Sequence, residues 1–182
     1  MAKVKKNEIE KQVDIFITEI LSDLNEYSCV LIGVSLVDEH LKMLLEKYFI
    51  TGSTADRILD NGFAANLRTR ADLAYVLGLI NKTDYQNLIN ILEIRNKFGH
   101  NFQILKFSSE EISKLCDKLV VDTEKGEDED GEAWNGYKYR YALIDLISGI
   151  SYQTDIIKKS EFKEVQDDYI PDEVLDQYKI NQ

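Results

Sequence analysis

The chain holds one proline and nine glycines in 182 residues. So little turn chemistry argues against a β-sandwich or barrel, whose many short strands need Gly- and Pro-rich connections. Cysteine is also scarce. Cys29 and Cys116 both sit in apolar, helix-like surroundings, "YSCVLIGV" and "ISKLCDKL". A small secreted scaffold would carry more cysteines at framework spacing, so these two read as reduced, buried thiols of a cytoplasmic protein. No run approaches the ~20 apolar residues of a membrane span. The opening "MAKVKKNEIEKQVDIF" is basic but turns amphipathic, unlike a signal peptide. Histidine occurs twice, as His40 and His100, and neither pairs with a cysteine at zinc-site spacing. A Gly-rich phosphate loop and a nucleophile elbow are absent as well. The expectation is a soluble protein without membrane association, metal or cofactor.

What is present is helical periodicity. Ile9, Val13, Phe16, Ile17, Ile20, Leu21 and Leu24 give residues 7–27 one apolar face. Residues 28–49 begin apolar all round and become amphipathic, as a central helix does. A loop and a small helix follow, capped by Ser53 or Thr54. "NLRTRADLAYVLGLI" reads as the next main helix. Residues 84–99, opened by Thr83 or Asp84, read as another. "SSEEISKLCDKLVV" gives a short helix, and "YKYRYALIDLISGISYQTDIIKK" the last. No period-2 strand competes. The spacing predicts an all-α helical bundle of five to six main helices.

The formal net charge of −11 argues at first against a nucleic-acid partner, because phosphate binding is mainly electrostatic. The charge is unevenly spread. Residues 122–132, "DTEKGEDEDGE", carry −6 and residues 160–182 carry −5, which together equal the whole, so the body is neutral. This divides the chain into a bundle core at 1–121, an acidic flexible linker at 122–136, a further helix at 137–159 and an acidic tail at 160–182.

The segment most in need of explanation is "EIRNKFGHNF", at the end of the leucine-rich 84–99 pattern. Cations in a last helical turn complement the helix dipole, which is one sufficient reason for Arg95 and His100. The other is chemistry. A histidine titrates near neutrality and can act as acid or base. An arginine can clamp a phosphate with two parallel bonds, and an asparagine can orient either. Asn96 and His100 are four apart and share a face. Arg95 and His100 lie about 140° apart on a helix that turns ~100° per residue, so one straight helix does not bring them together. Either Gly99 loosens the last turn and swings His100 across, or two chains face each other and the residues meet in trans. Arg70 is weighed between an ion pair with Asp38 or Glu39 and a substrate role. Lys97 reads as solvated, yet close enough to touch a neighbouring phosphate. His40, in "SLVDEHL", reads as a partly exposed helix residue, and Tyr75 and Tyr85 as edges of the core.

The spacing Arg95-Asn96-x-x-x-His100 resembles the signature of the HEPN superfamily of small all-α proteins. The longer stretch from "VLIGVSLVDEHLKMLLEKYF" through "LRTRADLAYVLGLINKTDYQNLINILEIRNKFGHNF" is similar to the mannitol-repressor family, over residues ~28–120. That family often has alanine where Gly99 stands. The first resemblance implies a metal-independent endoribonuclease of the toxin, stress or defence kind, acting on RNA at a homodimer interface. His100 would be its acid or base, Arg95 would stabilise the phosphorane charge, and Asn96 would position His100. Arg70, where the mannitol-repressor pattern also has an arginine, and Lys97, beside the motif, are the candidate substrate contacts. The second implies a transcriptional regulator. With no helix-turn-helix and no basic recognition helix, direct DNA binding is poorly supported, so such a regulator, or a non-catalytic HEPN protein with a cognate inhibitor or other partner, would act through protein contacts.

Overall fold

The computed structural model describes residues 25–49, 51–100, 105–121 and 131–157, with side chains from 134 onward in the last of these. Six α-helices and no strand occur among them: α1 (Glu26–Tyr48), α2 (Ser53–Asp60), α3 (Leu67–Val76), α4 (Lys82–His100), α5 (Glu110–Cys116) and α6 (Gly131–Ile156). The expected helix over 7–24, the core of the acidic linker and the acidic tail lie outside the described residues.

Helix α1 is the axis of the bundle. Val30, Val34, Val37, Leu41, Leu44 and Leu45 are buried along it at spacings of three and four, and α2, α3, α4 and α6 all pack against it. From α6 it meets Leu143, Leu146, Ile147 and Ile150, all buried. A methyl added at Gly33 would collide with the Leu143 side chain, so glycine sets how closely α1 and α6 approach here. Helix α4 contributes Leu88, Ile91, Ile94 and Phe98, one continuous buried face.

Asparagines start three helices. Asn25 accepts from the Ser28 amide at 2.9 Å, Asn66 from Thr69 at 3.0 Å and Asn81 from Asp84 at 2.9 Å. The caps expected at Thr83 or Asp84 are thus displaced to Asn81, whose side chain reaches the third amide on. Ser53 and Thr54 do not cap α2 either. That helix follows Gly52 without a side-chain cap. Helix α6 begins at Gly131, six residues before the expected 137, so that 131–136, assigned to the linker, are helical.

Two asparagines hold loops from inside. Buried Asn87 donates to the Val120 carbonyl at 2.7 Å and accepts from the Val120 amide at 2.9 Å, tying α4 to the segment after α5. Buried Asn135 donates to the Phe107 carbonyl at 3.2 Å and to Ser113 Oγ at 3.0 Å. Cys29 and Cys116 are buried free thiols. No helix among the described residues is long and apolar enough to cross a membrane.

Candidate functional site

The last described turn of α4 is anchored from below. Phe98 is fully buried, with its ring 5.5 Å from that of Tyr27 in an edge-on contact and 5.7 Å from Phe107. The Tyr27 hydroxyl donates to the Phe98 carbonyl, and the Glu26 carboxylate accepts from the Phe107 amide at 2.6 Å. The start of α1 therefore fixes this end of α4. With Phe98 pointing inward, the residues around it are turned outward: Asn96, Lys97, Gly99 and His100 are exposed and Arg95 is half-buried.

Arg95 Nη1 donates to its neighbour's Asn96 Oδ1 at 3.2 Å, and among the described residues neither Arg95 nor His100 bonds a backbone carbonyl. Lys97 and His100 lie in the last turn of α4, where positive charge complements the helix dipole.

The two key side chains face different grooves. Asn96, Lys97 and His100 line an open groove of about 700 Å³ between α4 and α5, with Glu93, Glu111, Lys114 and Leu115. Arg95 lines another, of about 420 Å³, between α1, α3 and α4, together with Leu31, Asp38, Arg68 and Leu92. The expected angular separation is what the helix delivers. Gly99 does not loosen the turn. It stays in helical conformation, its φ is not positive, and a methyl there would meet only Arg95 Nη1 at 4.0 Å. Of the two arrangements that could unite Arg95 with His100, the swing within one chain does not occur.

The charges in the His100 groove are paired. Lys97 Nζ lies 2.9 Å from Glu111 Oε2, and Lys114 Nζ lies 2.6 Å from Glu110. The lysine pKa of Lys97 is raised by its hydrogen bond to Glu111 and by that carboxylate's charge. Lys114 is raised, and Glu110 lowered, by their own bond in the same way. Lys97 is therefore exposed, as expected, but already has an anion.

Arg70 is used up inside the protein. It is 6% exposed, its Nη1 pairs with Asp38 at 2.6 Å, and it donates to the Ala64 carbonyl at 2.9 Å and the Leu59 carbonyl at 2.8 Å. Of the two roles weighed for it, the ion pair with Asp38 is present, and three internal partners set the guanidinium to hold the α2–α3 loop to α1. The reading of His40 is corrected. It is buried, 4% exposed, on the side of α1 that faces the bundle, and its Nδ1–H donates to the Leu36 carbonyl at 2.7 Å. Its Nε2 has no partner among the described residues. Tyr75 and Tyr85 stack on each other at 4.5 Å and 15°, with the Tyr85 hydroxyl donating to Asp72 at 2.7 Å. No cluster of three or more metal-ligating side chains occurs among the described residues.

Fold and site together define an all-α bundle whose chemistry-bearing helix end is exposed but divided between two grooves. No family model and no curated protein matches the chain. It is similar in structure to the MtlR–HPr complex from Escherichia coli, with a TM-score of 0.62 at 19% identity, covering 76% of this chain and 98% of that one. The fold is thus that of a mannitol repressor.

Proposed function

We propose that the chain is a mannitol-repressor-like regulator that acts by docking a partner protein in the groove beside the last described turn of α4. One observation carries this reading: the groove that holds His100 is charge-balanced. Glu93 and Glu111 face Lys97 and Lys114 over an apolar Leu115 floor. Phosphate-backbone binding draws its affinity from uncompensated lysines and arginines, whereas a polar rim of mixed sign around an apolar centre suits a protein surface. The similar structure is itself a complex of MtlR with HPr, so HPr is the partner to test first. Gel filtration of the chain with HPr should give a joint peak. Separate elution at tens of micromolar would remove HPr from the reading.

A second reading is favoured by the exposure of Asn96 and His100 on one face. In a homodimer that set two α4 ends against each other, Arg95 from one copy would meet His100 from the other, and RNA would be cleaved without metal. This reading expects chelator-resistant RNA cleavage that is lost in both His100→Ala and Arg95→Ala, with the fold intact. Cleavage unaffected by either substitution removes it.

A further inference from the structure

We propose that the groove between α1, α3 and α4 binds a small organic anion, a phosphate monoester or a carboxylate carried on a short apolar body. The proposal goes beyond partner docking, which concerns the other groove. Three helices converge here. α4 contributes Leu92 and Arg95, one turn apart on the same face; α3 contributes Leu67 and Arg68 from its first turn; α1 contributes Leu31 and Val34. The groove's volume, about 420 Å³, lies within the ~300–1,000 Å³ of small-molecule sites, which combine an apolar lining with a few convergent polar groups.

The charges leave a cation to spare. Asp38 is answered by Arg70 at 2.6 Å, on the inner side. Asp72 is answered by Arg68 Nε at 3.2 Å and by the Tyr85 hydroxyl at 2.7 Å. Against these two carboxylates stand three guanidinium groups, those of Arg68, Arg70 and Arg95. The remaining positive charge sits on Arg95. A guanidinium has five N–H donors, and among the described residues Arg95 uses one, on Asn96. Arg68 bonds Asp72 through Nε and also reaches the Tyr85 side chain, so it keeps only part of its donor capacity. A half-buried arginine with this much unused donor capacity, beside apolar Leu31 and Leu92, has the chemistry to hold an oxyanion in bidentate fashion while the leucines take the attached apolar group.

Phenyl phosphate and benzoate are suitable probes, one for each kind of head group, with phenol and inorganic phosphate as the apolar and anionic halves alone. Binding is read by nuclear magnetic resonance, following the Arg68 and Arg95 Nε–H signals and the Leu31 and Leu92 methyls. The expected result is saturable shifts of both sets with at least one of the two anionic probes, and neither set saturating with phenol or inorganic phosphate. Arg95→Gln should weaken that probe about tenfold, the loss of one charge-assisted contact. Arg68→Gln should weaken it in the same direction, and Lys82→Gln, an exposed charge elsewhere, should leave it unchanged. Which head group binds distinguishes a phosphate site from a carboxylate site. Absence of saturation with both anionic probes overturns the proposal. So does equal affinity in Arg95→Gln and Arg68→Gln, or inorganic phosphate binding as tightly as phenyl phosphate.

Discussion

Arg70 shows how far a single residue can be read. Its sequence context allowed an ion pair with Asp38, and that pair is present, but two backbone carbonyls also depend on the guanidinium. Replacing it by methionine strands these acceptors and the Asp38 charge. Arg70→Met should cost about 3 kcal/mol in urea unfolding, typical of breaking a buried pair by removing one partner. A cost below ~1 kcal/mol, the range of exposed pairs, would show that the network is not holding the loop. The two thiols give a pH prediction. Burial pushes Cys29 up to about 11 and Cys116 up to about 12 from an ordinary 9.0. The folded chain then keeps its thiol protons to higher pH than the unfolded chain, so stability is unaffected below pH 9 and falls as pH rises beyond it. Urea midpoints measured from pH 7 to 10.5 should drop above pH 9, and less so in a Cys29→Ala, Cys116→Ala chain compared with its own neutral-pH value. Because the thiolate is the reactive form, a thiol reagent at pH 8 should label the native chain only as fast as it opens. His40 was the residue least legible in sequence. Its neighbours Asp38 and Glu39 suggest a wet surface, and only the angular position of 40 beside 37, 41 and 44 reveals that it points inward.

At the scale of the element, helices were legible because apolar residues recur every three or four positions along α1, α4 and α6. Their starts were not. The side chain that caps a helix is chosen by backbone conformation just before it, and Asn81 was hidden next to two equally plausible residues, Thr83 and Asp84. Asn87 escaped notice for a different reason. It lies on the buried face of α4 in a position that periodicity assigns to an apolar residue, and its partner Val120 is distant in sequence. Asn87→Ala removes both hydrogen bonds that hold the Val120 amide and carbonyl. A loss of about 2 kcal/mol is expected, each hydrogen bond being worth roughly 1 kcal/mol. Hydrogen exchange of the Val120 amide should rise in the variant well beyond what global destabilisation explains. Exchange that follows the global change alone would mean the asparagine packs without clamping. The candidate site was half legible at this scale. The separation of Arg95 from His100 followed from helix geometry alone, whereas the pairing of Lys97 with Glu111 joins α4 to α5 and needed the fold.

For the whole molecule, the bundle resembles a mannitol repressor in fold, and what distinguishes the competing readings is the charge around the exposed end of α4. If that groove docks a protein, its affinity depends on the mixed-sign rim; if it cleaves RNA, its lysines are too well paired to attract phosphate and only a second copy completes the site. The most direct measurement is calorimetric titration of HPr into the wild-type chain, Lys97→Glu and, as an exposed charge remote from the groove, Arg57→Gln. Changing a rim charge typically alters the association rate and its salt dependence, and like charges brought together across an interface cost affinity. The account predicts saturable binding to the wild type, about tenfold weaker binding to Lys97→Glu, a change of ~1.4 kcal/mol, and unaltered binding to Arg57→Gln. No heat with the wild type, or equal affinity for Lys97→Glu, would contradict docking of HPr at this groove.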